Sequence, residues 1–324
     1  MNVLVSSAGR RGALVQIFRE VLHSLFGAGT VVAVDRSPLS AAGMLADHFE
    51  VVPPCDSDAF VPHMLDLCRR YEIGLLVPTI DPELAVYSAH RDRFAAIGTT
   101  VMVSAPQAVE ICADKLRTFR WFTENSVPTV RTASLDEVLG SPQHWRPPWI
   151  VKPVAGSASS RVRRIDSWSE LETLHHEPDL IVQEVAQGHE HTVDAWVDRS
   201  GRCRCVLARR RLEVRGGEVQ KAVTVENPEL QDLVRRVVEQ LPGAYGALNV
   251  QVAVDGPTMS AIEINPRFGG GYPLSWQAGA DFPKWTMEEV AGLPPTWADA
   301  RLSAGLAMFR YDEAVFVKAS EVGL

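Results

Sequence analysis

Glu263-Ile264-Asn265-Pro266-Arg267, preceded by Asn249-Val250-Gln251, is the stretch on which the reading of this chain turns. Side chains alternate along a strand, so Glu263, Asn265 and Arg267 share one face and the apolar Ile262 and Ile264 take the other. Two neighbouring strands then aim an amide, a carboxylate, a second amide and a guanidinium at one point. Oxygen ligands of this kind suit Mg²⁺, which is held by one or two protein groups plus substrate phosphates. An arginine beside them suits a phosphate or a carboxylate.

Outward from that point, the composition bounds what the chain is. Its 324 residues exceed a single core and predict two or three domains. At 46% hydrophobic and 22% charged it has an ordinary soluble composition. A net charge of −8 argues against nucleic-acid binding through a basic face. No apolar run approaches a membrane span, and Met1-Asn2-Val3-Leu4-Val5 enters a strand directly, so a cytoplasmic protein without membrane contact is expected. Five cysteines (Cys55, Cys68, Cys112, Cys203, Cys205) follow no framework spacing and predict free thiols. Lysine is scarce: only 5 of 32 basic residues are Lys, which singles out Lys115, Lys152 and Lys221.

The first hundred residues alternate apolar runs with amphipathic segments. Strands are predicted at 3–5, 31–35, 50–53, 74–78 and 101–103, with helices over 12–25, 60–71 and from 82. This order indicates a doubly wound parallel sheet. The turn Ser6-Ser7-Ala8-Gly9-Arg10-Arg11-Gly12, with Asp35 ending the second strand, sits where a dinucleotide fingerprint would, but its glycines are spaced G-x-x-G. A structural βα turn or the wall of a substrate pocket fits it better than an NAD site. Asp114-Lys115 opens a helix to about residue 125. Strands at 149–152 and 180–183, a small-residue turn at 154–162 and a helix over 167–175 make a small α+β unit. From Thr192 the pattern turns antiparallel, broken by a helix over 228–241, and residues 299–316 read as a terminal strand pair.

The ordered set Lys115, Lys152 before a small-residue loop, Gln183-Glu184, Glu190, Lys221, Gln251 and Glu263 to Arg267 resembles the ATP-grasp superfamily. Within it, the resemblance is greatest to members similar to carbamoyl-phosphate synthase large subunits and to the pyrrolysine-pathway ligase. It extends to the opening Val5-Ser6-Ser7-Ala8-Gly9-Arg10-Arg11 and to Pro78-Thr79-Ile80-Asp81-Pro82-Glu83-Leu84. The resemblance implies a Rossmann-like pre-ATP-grasp domain at 1–112, a lid at 113–185 and a core with the metal site at 186–324. ATP and Mg²⁺, with Mn²⁺ as a substitute, are the implied cofactors.

By the same resemblance Lys115 and Lys152 reach the ATP phosphates, under a flap that includes Gly156 and Ser157. Gln183, Glu184 and Val185 line the adenine, Glu190 holds the ribose, and Gln251, Glu263 and Asn265 hold the metal. Gln251 thus serves both nucleotide and metal. Arg267 contacts the transferred phosphoryl group, and Lys221 and Arg210 add cations around the cavity, the sequence leaving open which of Arg209-Arg210-Arg211 points inward. The flap departs from the family pattern, with Ala158 and Arg161 where glycines are common. Gly270 and Gly271 offer an acceptor bare backbone, and Asp81 or Glu83, at the C-terminal end of a parallel strand, is expected to hold a substrate ammonium.

The activity implied is that of an ATP-dependent carboxylate–amine ligase on small molecules, amino acids above all, through an acyl phosphate. Phosphorylation turns a repelling carboxylate into an electrophile with a good leaving group, and no Ser or Cys nucleophile is needed. Two alternatives stay open: phosphorylation of bicarbonate or carbamate, as in carbamoyl-phosphate synthases, and a non-catalytic ATP-binding module. Dimers are common among such relatives, which leaves a homodimer as an expectation.

Overall fold

The computed structural model describes residues 1–156 and 161–321. Ser157 lies outside the described residues. Three sheets carry the chain. The first contains β1 (Asn2–Ser6), β2 (Val31–Asp35), β3 (His48–Val51), β4 (Ile73–Pro78) and β5 (Thr100–Val101), with α1 (Gly12–Phe26), α2 (Phe60–Arg70) and α3 (Asp81–Ala95) between them. It is parallel, in the order β3-β2-β1-β4-β5. Strands covered on both faces need unbroken apolar runs. Val3 and Val5 accordingly enter one core and Leu4 another, all fully buried. The strand order reverses between β1 and β4, whose C-terminal residues Ser6 and Pro78 pair side by side. The loops after them therefore face the crevice where open α/β sheets bind ligands.

Two helices follow, α4 (Pro106–Ala113) and α5 (Lys115–Glu124). The Asp114 side chain caps the second by accepting from the backbone N–H groups of Leu116 and Arg117. The second sheet is small and antiparallel. It comprises β6 (Thr132–Ser134), α6 (Leu135–Gly140), β7 (Trp149–Pro153), β8 (Arg163–Ile165), α7 (Trp168–Glu172) and β9 (Leu180–Glu184), with the strands in the order β6-β9-β7-β8. Its own core gathers around Trp145, Trp149 and Leu171. The α7 helix is shorter than its expected span of 167–175. From Thr173 the backbone makes i→i+3 turn bonds (Thr173 to Glu170, His175 to Glu172) on the way to Pro178.

The third sheet is antiparallel and six-stranded. Its elements are β10 (His189–Val197), β11 (Cys203–Arg215), β12 (Glu218–Val225), α8 (Pro228–Gln240), β13 (Gly246–Asp255), β14 (Thr258–Asn265), α9 (Tyr272–Gln277), α10 (Phe282–Ala291) and β15 (Ala307–Phe309). The strand order is β14-β13-β10-β11-β12-β15. One face packs Val193, Ala195, Val250 and Ile264 under the apolar side of α8. Trp196, Leu207 and Ala247 join Phe268, Trp285 and the residues of β1 and α1 in the first core. Leu230, fully buried on the apolar side of α8, tests the α8 packing. Leu230→Ala should cost about 2–5 kcal/mol in urea denaturation, through lost transfer energy and the cavity left behind.

Two expectations are corrected here. Among the described residues, 299–316 hold one strand, β15, not a pair; it adds to the edge of β12. Beyond it Tyr311 and Phe316 are 79% and 92% exposed and meet no partner strand. The register of β13 on β14 also slips between Gln251 and Val252. Ala261 and Ile264 therefore reach the core, while Ile262, expected to share the face of Ile264, is the extra residue of the bulge and does not.

Candidate active site

Gln251 pairs with Glu263 and Asn249 with Asn265 across β13 and β14, so their side chains emerge together. Asn265 Nδ2 donates to Glu263 Oε1 at 3.2 Å and to Asn249 Oδ1 at 3.4 Å. Gln251 Oε1 accepts from Arg211 Nη1 at 2.9 Å, and the same guanidinium nitrogen lies 3.3 Å from Glu190 Oε2. The donor set towards a cation is one carboxylate and two amide oxygens. Among the described residues no group of three or more His, Cys, Asp and Glu gathers to hold a metal unaided. That chemistry fits Mg²⁺, which completes its shell with phosphate oxygens and water, and does not fit a resident zinc site.

Two lysines approach the same carboxylate from elsewhere. Lys152, on β7 and only 7% exposed, comes from the small sheet. Lys115, at the start of α5, donates through Nζ to the carbonyls of Gly156 at 2.9 Å and Val154 at 3.4 Å. Burial lowers the pKa of both, and Glu263 opposes that fall in each; Lys152 further lowers Lys115. An ammonium held below its usual range favours binding of a polyanion, which restores its proton. ATP affinity should therefore be highest where both lysines are charged and fall as pH rises through their lowered pKa values. Calorimetric titration between about pH 7 and 10 should show this decline. Lys152→Arg should push it to higher pH, because arginine stays charged.

Gln183 and Glu184 end β9, where the chain leaves the small sheet for β10, so residues 185–188 connect the two lobes. Gln183 is buried, with Nε2 donating to Thr132 Oγ1 at 2.9 Å. The Glu184 carboxylate lies 3.7 Å from Arg131, and the Val185 carbonyl accepts from Gln187 Nε2 at 3.1 Å. Glu190 follows, half exposed, facing Arg211. Arg211 thus links Glu190 to Gln251 on the metal strand.

Register decides the arginine run. Arg209 lies opposite Thr192, which lies opposite Gln251, so Arg209 and Arg211 share the Gln251 face. Arg210 is the corrected case: it takes the other face, opposite His191, and packs on the His189 ring. Lys221 is corrected likewise. Ala222 is the residue paired with Arg211, which turns Lys221 to the far side to meet Glu213, about half exposed. Neither adds charge to the cavity.

Arg267 is not free to meet a phosphate alone. Its Nε and Nη2 donate to both oxygens of Asp81 at 2.8 and 2.5 Å, and Nη2 also reaches Asn265 Oδ1 at 3.3 Å. Burial alone would lower its pKa; Asp81, then Glu263 and Glu218, hold it above the ordinary value. Asp81 therefore ties the start of α3 to the metal strand, and its carboxylate is already paired. Glu83 is fully buried and accepts from Ser6 and Ser7 hydroxyls and from the N–H groups of Thr79 and Ile80. Burial raises its pKa against those bonds. It closes the β1 and β4 loops and caps α3, which removes it as a holder of a substrate ammonium.

Gly270 and Gly271 are bare for a different reason than expected. A Cβ on Gly270 would meet Glu218 Oε2 at 1.6 Å, and one on Gly271 would meet Arg209 Nη1 at 2.3 Å. The Glu218 and Arg209 side chains stand against these two positions, which therefore need glycine.

One buried network was not anticipated. Arg209, 1% exposed, donates to Asp194 through Nε at 2.8 Å and Nη2 at 3.0 Å, and Ser275 Oγ donates to the same carboxylate. Arg209 Nη1 is buried beside Gly271 without a partner. Alternation from Gln251 through Thr192 would have selected Arg209 once the strand register was known. Asp35, by contrast, is spent on the turn: it accepts from Gly9 N–H at 2.8 Å and from Ser37 N–H at 2.9 Å. All five cysteines are free, and burial pushes Cys68 and Cys203 up to about 12, which leaves them inert.

A family model described as the PylC-like N-terminal domain matches residues 3–102, and one described as the ATP-grasp domain matches residues 112–271. No curated protein matches the sequence significantly. Among solved structures, the biotin carboxylase domain dimer of Hydrogenobacter thermophilus 2-oxoglutarate carboxylase, in complex with MgADP and bicarbonate, superposes with TM-score 0.72. It is 20% identical over 93% of this chain and 72% of that one. A Campylobacter jejuni biotin carboxylase bound to a β-γ-ATP compound gives TM-score 0.71 at 15% identity, over 93% and 73%. The Thermotoga maritima N5-carboxyaminoimidazole ribonucleotide synthetase gives 0.64 at 17%, over 91% and 76%. At these identities the likeness is one of fold.

Proposed function

The chain carries an ATP-grasp domain over residues 112–271 behind a PylC-like N-terminal domain, and from that premise we propose that it is an ATP-dependent carboxylate–amine ligase acting on small molecules, amino acids first among them. The observation that carries the reading is the convergence of Lys115 and Lys152 on Glu263, itself flanked by Gln251 and Asn265. In this reading the lysines bind the nucleotide phosphates and stabilise charge as the γ-phosphoryl group moves. Glu190 takes the ribose, and residues 183–185 take the adenine. Glu263, Asn265 and Gln251 would hold Mg²⁺, which supplies Lewis-acid neutralisation of the phosphates when bound.

The reaction then balances in two steps. A carboxylate oxygen forms a bond to the γ-phosphorus as the bond to ADP breaks. The amine nitrogen next bonds the acyl carbon and loses a proton, and phosphate leaves with the former carboxylate oxygen. In this reading Arg267, held by Asp81, contributes its charge beside the transferred group. Water exclusion falls to the lobe that carries Lys152.

A second reading takes bicarbonate as the acid, a choice supported by the bicarbonate named with the Hydrogenobacter relative. Mass spectrometry separates the two. The protein is incubated with ATP, Mg²⁺ and pooled amino acids in one tube, and with bicarbonate and ammonia in another. A product equal to two substrates less water, with ADP formed, establishes the amide ligase. ADP only in the second tube establishes the bicarbonate reading. ATP binding without nucleotide consumption in either tube overturns both. A homodimer is the expected assembly, checked by sedimentation velocity.

A further inference from the structure

A cavity of about 270 Å³ opens between the β1–α1 turn, the Gly269-Gly270 backbone and the strand ending at Phe309. Arg10, Arg11 and Arg310 all line it. Among the described residues one carboxylate contacts two of these cations: Glu218 lies 3.3 Å from Arg11 and 3.7 Å from Arg310, and Asp81 supports Arg11 from farther away. Burial lowers the pKa of Arg11, and Arg267 and Arg310 add to the fall against Glu218. The site is thus short of negative charge. Phe309 and Tyr311 stand beside the arginines, 68% and 79% exposed, and form an apolar flank.

We propose that this cavity binds the carboxylate of the amine substrate, an amino acid whose apolar side chain lies against Phe309 and Tyr311. The assignment rests on the ligase reading above and names its acceptor class. The ATP phosphates have their own cations, Lys115 and Lys152, around Glu263. An anion bound at Arg11 would therefore be a different one. Gly269 and Gly270 follow Arg267 by two and three residues, and Arg11 lies within electrostatic reach of both Arg267 and Asp81. An amino acid held here by its carboxylate would have its amine near the metal strand, where the acyl phosphate forms. A guanidinium pair meets a carboxylate bidentately, and an amide in its place loses both charge-assisted bonds.

The test is calorimetric titration of the full chain, pre-saturated with ADP, against leucine, phenylalanine and tryptophan, their amides, and inorganic phosphate. At least one free acid should bind saturably, with its amide about ten- to hundredfold weaker. Arg11→Gln and Arg310→Gln should each weaken the acid about tenfold or more and leave ATP affinity unchanged, with Arg11→Lys recovering part of the loss. Arg310 lies in an exposed segment, so its variant reports on binding even if Arg11→Gln misfolds. Equal binding of acid and amide, or no effect of Arg310→Gln, overturns the proposal. Phosphate binding more tightly than every acid also overturns it, in favour of a phosphorylated substrate. Ligase turnover whose KM for the amine ignores both variants refutes this site alone, whereas absence of ADP formation refutes the ligase reading itself.

Discussion

Arg209→Ala should destabilise the protein by about 3–5 kcal/mol, because it strands a buried carboxylate. Asp194 is 2% exposed and its oxygens are spent on Arg209 and Ser275. The desolvation of that charge is balanced chiefly by the guanidinium, with one further bond from Ser275, so removal of Arg209 costs more than the pair itself contributes. Replacing both, as Arg209→Met with Asp194→Leu, should recover most of the loss, since two apolar groups of similar volume leave no charge unanswered. Urea denaturation of the wild type and three variants closes the cycle. A loss below about 1 kcal/mol for Arg209→Ala would mean that water reaches Asp194 and that the network is not a buried one.

The second large effect is on turnover. Glu263→Gln keeps the shape of the side chain and its contact with Asn265 but removes the one carboxylate of the metal set. Under the ligase reading, ADP formation should fall by about a thousandfold or more. The fold should survive, as Glu263 is only partly buried. The same variant carries a second signature. Glu263 is the leading charge that supports protonation of Lys115 and Lys152, so its loss should move the alkaline decline in ATP affinity to lower pH. Turnover within tenfold of wild type would remove Glu263 from the machinery.

Much of the fold was legible because its signals are local. Val3-Leu4-Val5 and Leu75-Leu76-Val77 are apolar on both faces, which marks central parallel strands. The scarcity of lysine exposed Lys115 and Lys152, each of which feels the charge of Glu263. What failed depends on register. Three consecutive arginines look alike in one dimension, and only the pairing of Arg209 with Thr192 shows that Arg210 faces away. The bulge at Ile262 cannot be read from alternation, since alternation assumes it absent. Asp81 and Glu83 lie two residues apart, yet one anchors an arginine 186 residues away and the other closes two loops inside the protein. Sequence separation of that size leaves no periodic trace. Arg10 and Arg11 lie in the turn read as a possible pocket wall, but Glu218 and Arg310, which complete that cluster from far along the chain, escaped for the same reason.

The clasp between Asp81 and Arg267 limits how such a protein can be recombined. Arg267 is 11% exposed, and its main counter-charge belongs to the other half of the chain. An exchange of the N-terminal half for that of a relative would leave the metal strand with an unanswered cation unless the incoming piece carried an acid at the start of its third helix. The two halves are therefore heritable as a matched set, and chimaeras cut between them should succeed or fail on that single position before any question of substrate arises.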